Sequence, residues 1–307
     1  MKFSFRKLAV AAALGLSFAA SAQAAPFDLK DGNGNVIQSQ ATGLDWSSTG
    51  SGVSINVGGY NDTRLLPVGA PFQFLYQSNL VNIVGGQEGT LAPQLDGSAN
   101  GVKDRGFEFT IVASLAERVV SSTFGSNGNT NPTSVFDLDP SGVSKVAIYY
   151  DAAANANTAA GTGFDDGQLI ALLTINSDGN TSTFTSVTGT GTGQGSARLH
   201  ASIVGSEDFV DQNFLAGVTE LLFGLDFQST LNYPAQDAAT STFHGSSPAT
   251  GTDLFPTYNV QAGDIVFKVD GSSTFEAAAA VPEPGSMLLM GAGLLGFIGV
   301  ARRRRNK

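Results

Sequence analysis

The 307-residue sequence contains no cysteine, two histidines and one tryptophan, and only 14% of it is charged. Without thiols there is no disulfide framework, no Cys-ligated zinc or iron–sulfur site and no thiol nucleophile, so stability rests on burial. With only His200 and His244, a His-rich metal site is excluded and little is left for a Ser-His-Asp triad. No Gly-x-Ser-x-Gly elbow, P-loop or Gly-x-Gly-x-x-Gly fingerprint is present, and both histidines read as ordinary strand or loop residues. Long amphipathic helical patterns are missing too. Asp208 to Val218 is open to two readings: a short helix with Phe209, Val210, Phe214 and Val218 near one face, or a buried strand plus loop.

Positive charge is nearly absent from the middle of the chain. Of 16 Lys and Arg residues, 3 precede Ala25 and 5 follow Pro284, leaving 8, whereas all 26 acidic residues lie between Asp28 and Glu283. That stretch therefore carries −18 (8 minus 26), against −10 for the whole chain. With no basic stripe to release phosphate counterions, nucleic acid is excluded as a partner. An acidic surface rich in Ser, Thr, Asn and Gly suits an extracellular setting, where divalent cations can bridge carboxylates to acidic polysaccharide. Asp31-Gly32-Asn33-Gly34-Asn35 resembles the first half of an EF-hand loop. Val36 stands where that loop needs glycine and Thr42 where it needs a bidentate Glu. A polar β-turn is the preferred reading, with weak calcium binding as the alternative; no metal site and no cofactor are expected otherwise.

The two ends carry opposite signals. Lys2, Arg6 and Lys7 precede the apolar stretch Leu8 to Ala20 and the small-residue sequence Ala22-Gln23-Ala24. This is the pattern of a secretory signal peptide (1–24), cut by signal peptidase after Ala24 to leave Ala25 first. At the other end come Val281, Pro282, Glu283 and Pro284, an uncharged run from Gly285 to Ala301, then Arg302, Arg303, Arg304, Arg305 and Lys307. As a helix the run reaches roughly 25 Å, just enough to span a bilayer. The basic cluster behind it stays on the cytoplasmic side and leaves the body outside.

In this order, residues 281–307 resemble the PEP-CTERM sorting signal of Gram-negative bacteria. The resemblance implies transient inner-membrane insertion and processing by an exosortase, a membrane-embedded cysteine transpeptidase-like enzyme. That enzyme removes the tail and passes the body to the cell surface or the extracellular matrix. The segments Ala41-Thr42-Gly43-Leu44-Asp45-Trp46-Ser47-Ser48 with Gly50-Ser51-Gly52, and Phe72 to Val81, are similar to flocculation-associated PEP-CTERM proteins. This likeness implies a role in holding cells in flocs or biofilm with secreted exopolysaccharide, and it names no catalytic residue.

Between the ends, short strand-like runs recur among turn signals. In Gly106 to Ile111, Phe107, Phe109 and Ile111 point to one side and Glu108 and Thr110 to the other, which reads as one packed and one wet face. Asn176-Ser177-Asp178-Gly179-Asn180 reads as a hairpin connection. The fold expected is all-β, an antiparallel β-sandwich of jelly-roll-like form over 25–274, followed by a linker (275–284) and a transmembrane sorting helix with its basic tail (285–307). Asp137 and Asp139, Asp165 and Asp166, and Glu207 and Asp208 are paired carboxylates that keep a matrix-directed glycoside hydrolase as the alternative to a non-enzymatic protein. A permanently anchored envelope protein is a further one. Trp46, among small hydroxylated residues, reads either as core packing or as a carbohydrate contact.

Overall fold

The computed structural model describes residues 26–88, 106–125, 130–218, 224–235, 240–246 and 254–276. The signal cleavage site at Ala22, Ala24 and Ala25, the sorting motif Val281–Pro284, the apolar run and Arg302–Arg305 lie outside the described residues. Every regular element described is a strand, and among the described residues no helix is long and apolar enough to cross a membrane.

The chain opens with β1 (Phe27–Lys30), β2 (Val36–Ala41), β3 (Gly43–Trp46), β4 (Gly50–Ile55), the long β5 (Pro71–Val84) and β6 (Gln87–Glu88). Its middle holds β7 (Glu108–Phe124), β8 (Pro132–Leu138), β9 (Lys145–Asp151), β10 (Gln168–Val187), β11 (Thr192–Ser202), β12 (Phe209–Val210) and β13 (Leu215–Ala216). It closes with β14 (Gly224–Tyr233), β15 (Thr242–Phe243), β16 (Tyr258–Asn259) and β17 (Ile265–Glu276).

Antiparallel pairing runs from β5 to β7, β8, β10, β11, β14, β17 and β4, and from β4 back to β5. The layers of the expected sandwich thus belong to one sheet joined along both edges. Two of its eight places are shared between strands. Along Glu108–Ser114 of β7 the neighbour is β9, replaced by β8 further on, and β3 replaces β4 between β17 and β5. Among the described residues, closure of this sheet leaves it no long free edge for another chain to extend. Side chains from the two flanking strands occupy the space over Gly52 of β4: a Cβ there would meet the Phe74 ring of β5 at 2.6 Å and Val269 of β17 at 2.8 Å.

The strand alternation sorts side chains into two layers. Ile111, Ala113 and Leu115 of β7 face inward with Phe74, Tyr76, Ile148, Leu173, Leu199 and Phe267. One end of the interior is filled by Phe27, Leu29, Ile37 and Ala41 from the β1–β2 hairpin, with Phe27 edge-on to Phe275 at 5.1 Å. Each of Phe27, Leu29 and Ile37, fully buried, stabilises the fold by about 2 kcal/mol. On the outer face, Val112, Ala147, Tyr149 and Leu172 pack under Phe164 and Phe255, and Val53, Ile55 and Leu75 under Phe243.

This outer cover corrects the reading of Glu108 and Thr110 as a wet face. Both are buried, because the segment after β9 lies over them. Glu108 accepts the backbone N–H groups of Asn155 and Ala156 at 2.6 and 2.7 Å, and the Thr110 hydroxyl donates to the Phe164 carbonyl at 2.6 Å.

Three further expectations change. The 176–180 segment is a bulge within β10 and not a hairpin: Asn176 opposes His200 and Thr181 opposes Arg198, so five steps on β10 match two on β11. The bulge falls where the partner on the other side of β10 changes from β9 to β8, and Asn180 secures it by accepting the His200 N–H at 2.8 Å and donating to the Asn176 carbonyl. Asp208 to Val218 forms strand, turn and strand. Asp208 is spent on that corner, taking Lys145 at 3.1 Å, the Thr174 hydroxyl at 2.7 Å and the Gly205 N–H at 2.8 Å. Lastly, Phe275 is buried within β17, which continues to Glu276, so the folded unit extends two residues past the expected boundary at 274.

Candidate functional site

The Gly43–Trp46 strand ends in a hydroxyl-rich turn. The Ser47 N–H donates to the Asn79 carbonyl at 2.8 Å, and the Ser47 hydroxyl receives the Thr49 N–H at 3.2 Å and pairs with the Thr49 hydroxyl at 2.8 Å. Such side-chain-to-backbone bonds are what make Ser and Thr favourable in turns. Opposite this turn, the segment after β9 is held down by Glu108, which fixes Asn155 and Ala156 by their amides, and by the Thr158 carbonyl, which accepts the Thr240 hydroxyl at 2.9 Å.

Between the two lies a polar groove of about 540 Å³. It is lined by Ser47, Thr49, Asn79 and Val81 on one side, Glu108 at the base, and Ala154 to Ala159 on the other. That size suits a small-molecule or oligomer-unit ligand. Thr49, Asn155 and Asn157 are exposed, so hydroxyl and amide groups face the opening. Among the described residues that line it there is no aromatic wall and no cation, and the groups at its opening exchange neutral hydrogen bonds. The Glu108 carboxylate is committed to backbone amides on one oxygen, which is a positioning role.

Trp46 does not reach this groove. Its side chain is 0% exposed and its Nε1 donates to the Ser273 hydroxyl at 2.9 Å, so it packs the core and presents no face to a sugar. The carbohydrate-contact reading of Trp46 is corrected on that ground. Sequence reasoning missed Thr49, Asn79, Asn155 and Asn157. No local signal joins them: the pairing of β3 with β5 is what sets the hydroxylated end of Ala41–Ser48 beside Asn79 of the second resembling segment.

The other candidates fall apart from one another. Asp31 forms a turn: burial raises its pKa, but hydrogen bonds from the amides and side chains of Asn33 and Asn35 outweigh that and hold its carboxyl below the usual range. With Gly34 at φ +81°, the segment is the polar β-turn joining β1 and β2. Among the described residues no group of three or more His, Asp or Glu is arranged to hold a metal. Asp137 lies across the strand from Arg118, and Asp139 caps the turn at Ser141 at 2.9 Å. Asp166 accepts the Asn155 amide at 3.2 Å. His244 is buried beneath the outer cover, taking the Gln77 side-chain oxygen at 3.0 Å through its backbone N–H, while His200 pairs along β11.

Neither the curated proteins nor the solved structures provide a match to this chain. The model of the PEP-CTERM protein-sorting motif matches residues 280–305, which contain Pro282-Glu283-Pro284, the apolar run and Arg302–Arg305. That motif marks export, transient membrane anchoring and handling by an exosortase.

Proposed function

We propose that the processed body is a non-enzymatic extracellular matrix protein that associates with secreted polysaccharide and promotes floc or biofilm formation. The observation that carries this reading is the polar groove of about 540 Å³ facing outward from a body whose tail marks it for export. Ser, Thr and Asn side chains exchange hydrogen bonds with water for hydrogen bonds with sugar hydroxyls at little net cost per contact. Many weakly bound copies along one polymer then act together through avidity. The −18 charge of the stretch between Ala25 and Pro284 favours neutral polymer, or acidic polymer bridged by weakly held calcium.

Deleting the gene is expected to leave cells dispersed, with restoration by the intact gene. Settling at the wild-type rate contradicts the reading. At the molecular level, Asn155→Ala combined with Asn157→Ala should weaken retention on the native exopolysaccharide by about 10- to 30-fold, taking roughly 1 kcal/mol per lost hydrogen bond. Release of new reducing ends from that polymer by the purified body would replace this reading with a glycoside hydrolase.

A further inference from the structure

At the end of the barrel away from the β1–β2 hairpin, the interior is not filled. A cavity of about 70 Å³ remains there, enclosed by Phe72, Phe136, Phe184, Leu231 and Phe267. Phe72, Phe136 and Phe184 are only half-buried, so this end is the mouth. One acidic residue faces inward among these apolar walls. Glu117 continues the inward series of Ala113 and Leu115 on β7, is 4% exposed, and lines the cavity. Burial and the charge of Asp137 act on its carboxyl, with no hydrogen bond among the causes, and among the described residues no Lys or Arg lines the cavity. Arg118, the next residue on β7, opposes Asp137 across the β7–β8 pair.

A carboxyl group desolvated without a partner costs several kcal/mol if ionised, and still leaves a hydrogen bond unmade if neutral. Nothing in the packing requires an acid here, since the flanking inward positions are Leu115 and Val119. Eight-stranded barrels are wide enough to hold one small ligand.

We propose that the open end of the barrel binds a small uncharged molecule, with an apolar body of a few carbons and one hydrogen-bond-accepting oxygen, seated with that oxygen at Glu117. The ligand is small because a cavity of about 150 Å³ is what accommodates benzene, and this one is half that size. It is uncharged because a cation would need an ion pair in an apolar enclosure, where desolvation of both partners outweighs their attraction. Burial and the negative charge of Asp137 push the Glu117 carboxyl up to about 8, so at neutral pH it carries its proton and donates. Of the other groups facing the cavity, the Tyr76 phenol is also raised by burial and stays neutral, and Ser54, Ser182 and Thr183 are uncharged.

The test uses the processed protein purified from culture, with 2-butanone and n-butane as probes followed by ligand-observed NMR. At pH 6, saturable one-to-one binding of the ketone is expected, at least about 10-fold tighter than the alkane, converting to one good hydrogen bond. At pH 9.5 the ketone should lose that advantage. Glu117→Leu should bind both probes equally at either pH, and Ala197→Phe, which fills the lumen from β11, should bind neither. Absence of saturable ketone binding to wild type, or an undiminished ketone preference in Glu117→Leu, overturns the assignment. The pH comparison on wild type stands even where a variant fails to fold.

Discussion

Glu117→Gln is expected to raise the stability of the folded body by about 3–5 kcal/mol at pH 8, and to leave it within about 1 kcal/mol of wild type at pH 4.5. Burial, followed by the negative charge of Asp137, raises the folded-state pKa of Glu117 to about 8, against an ordinary value of 4.5. The sign follows from proton counts. Below pH 4.5 the group is protonated in both states and contributes no pH dependence. Between 4.5 and 8 the folded state holds a proton that the unfolded state has released, so rising pH favours unfolding by about 1.4 kcal/mol per unit. Above 8 both states are ionised and the loss is complete. Gln has the same shape and no proton to lose, so the variant should stay flat across this window. For a body of about 250 residues the difference corresponds to roughly 10 °C in melting temperature at pH 8. Thermal melts of both proteins at pH 4.5, 6, 7 and 8 provide the check. Parallel curves for the two would mean that Glu117 meets water.

Trp46→Ala should cost about 4–6 kcal/mol and leave the protein close to unfolding at 37 °C. Removing a fully buried indole costs about 3–5 kcal/mol, and the Ser273 hydroxyl, itself 1% exposed, loses the donor it meets at 2.9 Å. An orphaned buried hydroxyl adds about 1 kcal/mol. The bond also ties β3 to β17 across 227 positions of sequence, so its loss loosens the place where β3 substitutes for β4 in the ring. Total stability for a domain of this kind is about 5–15 kcal/mol, which makes the change a large fraction of it. Urea denaturation followed by circular dichroism measures it, and Trp46→Phe should recover more than half of the loss. A Trp46→Ala protein that melts like wild type and fails to hold polysaccharide would reverse the assignment of this residue to the core.

What the sequence made legible was local. The alternation of Phe107, Phe109 and Ile111 is carried by neighbours two apart, and the structure places Phe109 and Ile111 on the inward face of β7 and all three in the same core. The closed ring was not legible, because β4 meets β17 across more than 200 residues and no short pattern encodes that register. Asp178-Gly179 carries a strong hairpin signal, yet β10 pairs with β11 both before and after it, so the segment becomes a bulge within one strand. Glu108 and Thr110 look solvent-facing by period alone; the cover over them comes from the 152–164 stretch, whose glycine, asparagine and alanine content hides its packing role. Trp46 sits among hydroxylated residues because the surface turn begins at the next position, while its own partner lies on β17. The groove residues were missed for the same reason, since Asn79 and Asn157 become neighbours only through β3, β5 and β7. The tail, by contrast, is a contiguous motif, and such a motif can be read without any fold.

The central claim is that this body is exported, cut free of its tail and delivered outside the cell. Intact-mass measurement of the protein recovered from the extracellular matrix tests it most directly. The account predicts a polypeptide that begins at Ala25 and ends between residues 277 and 286. A cell-bound polypeptide that still carries Arg302–Arg305, with none in the matrix, would contradict it.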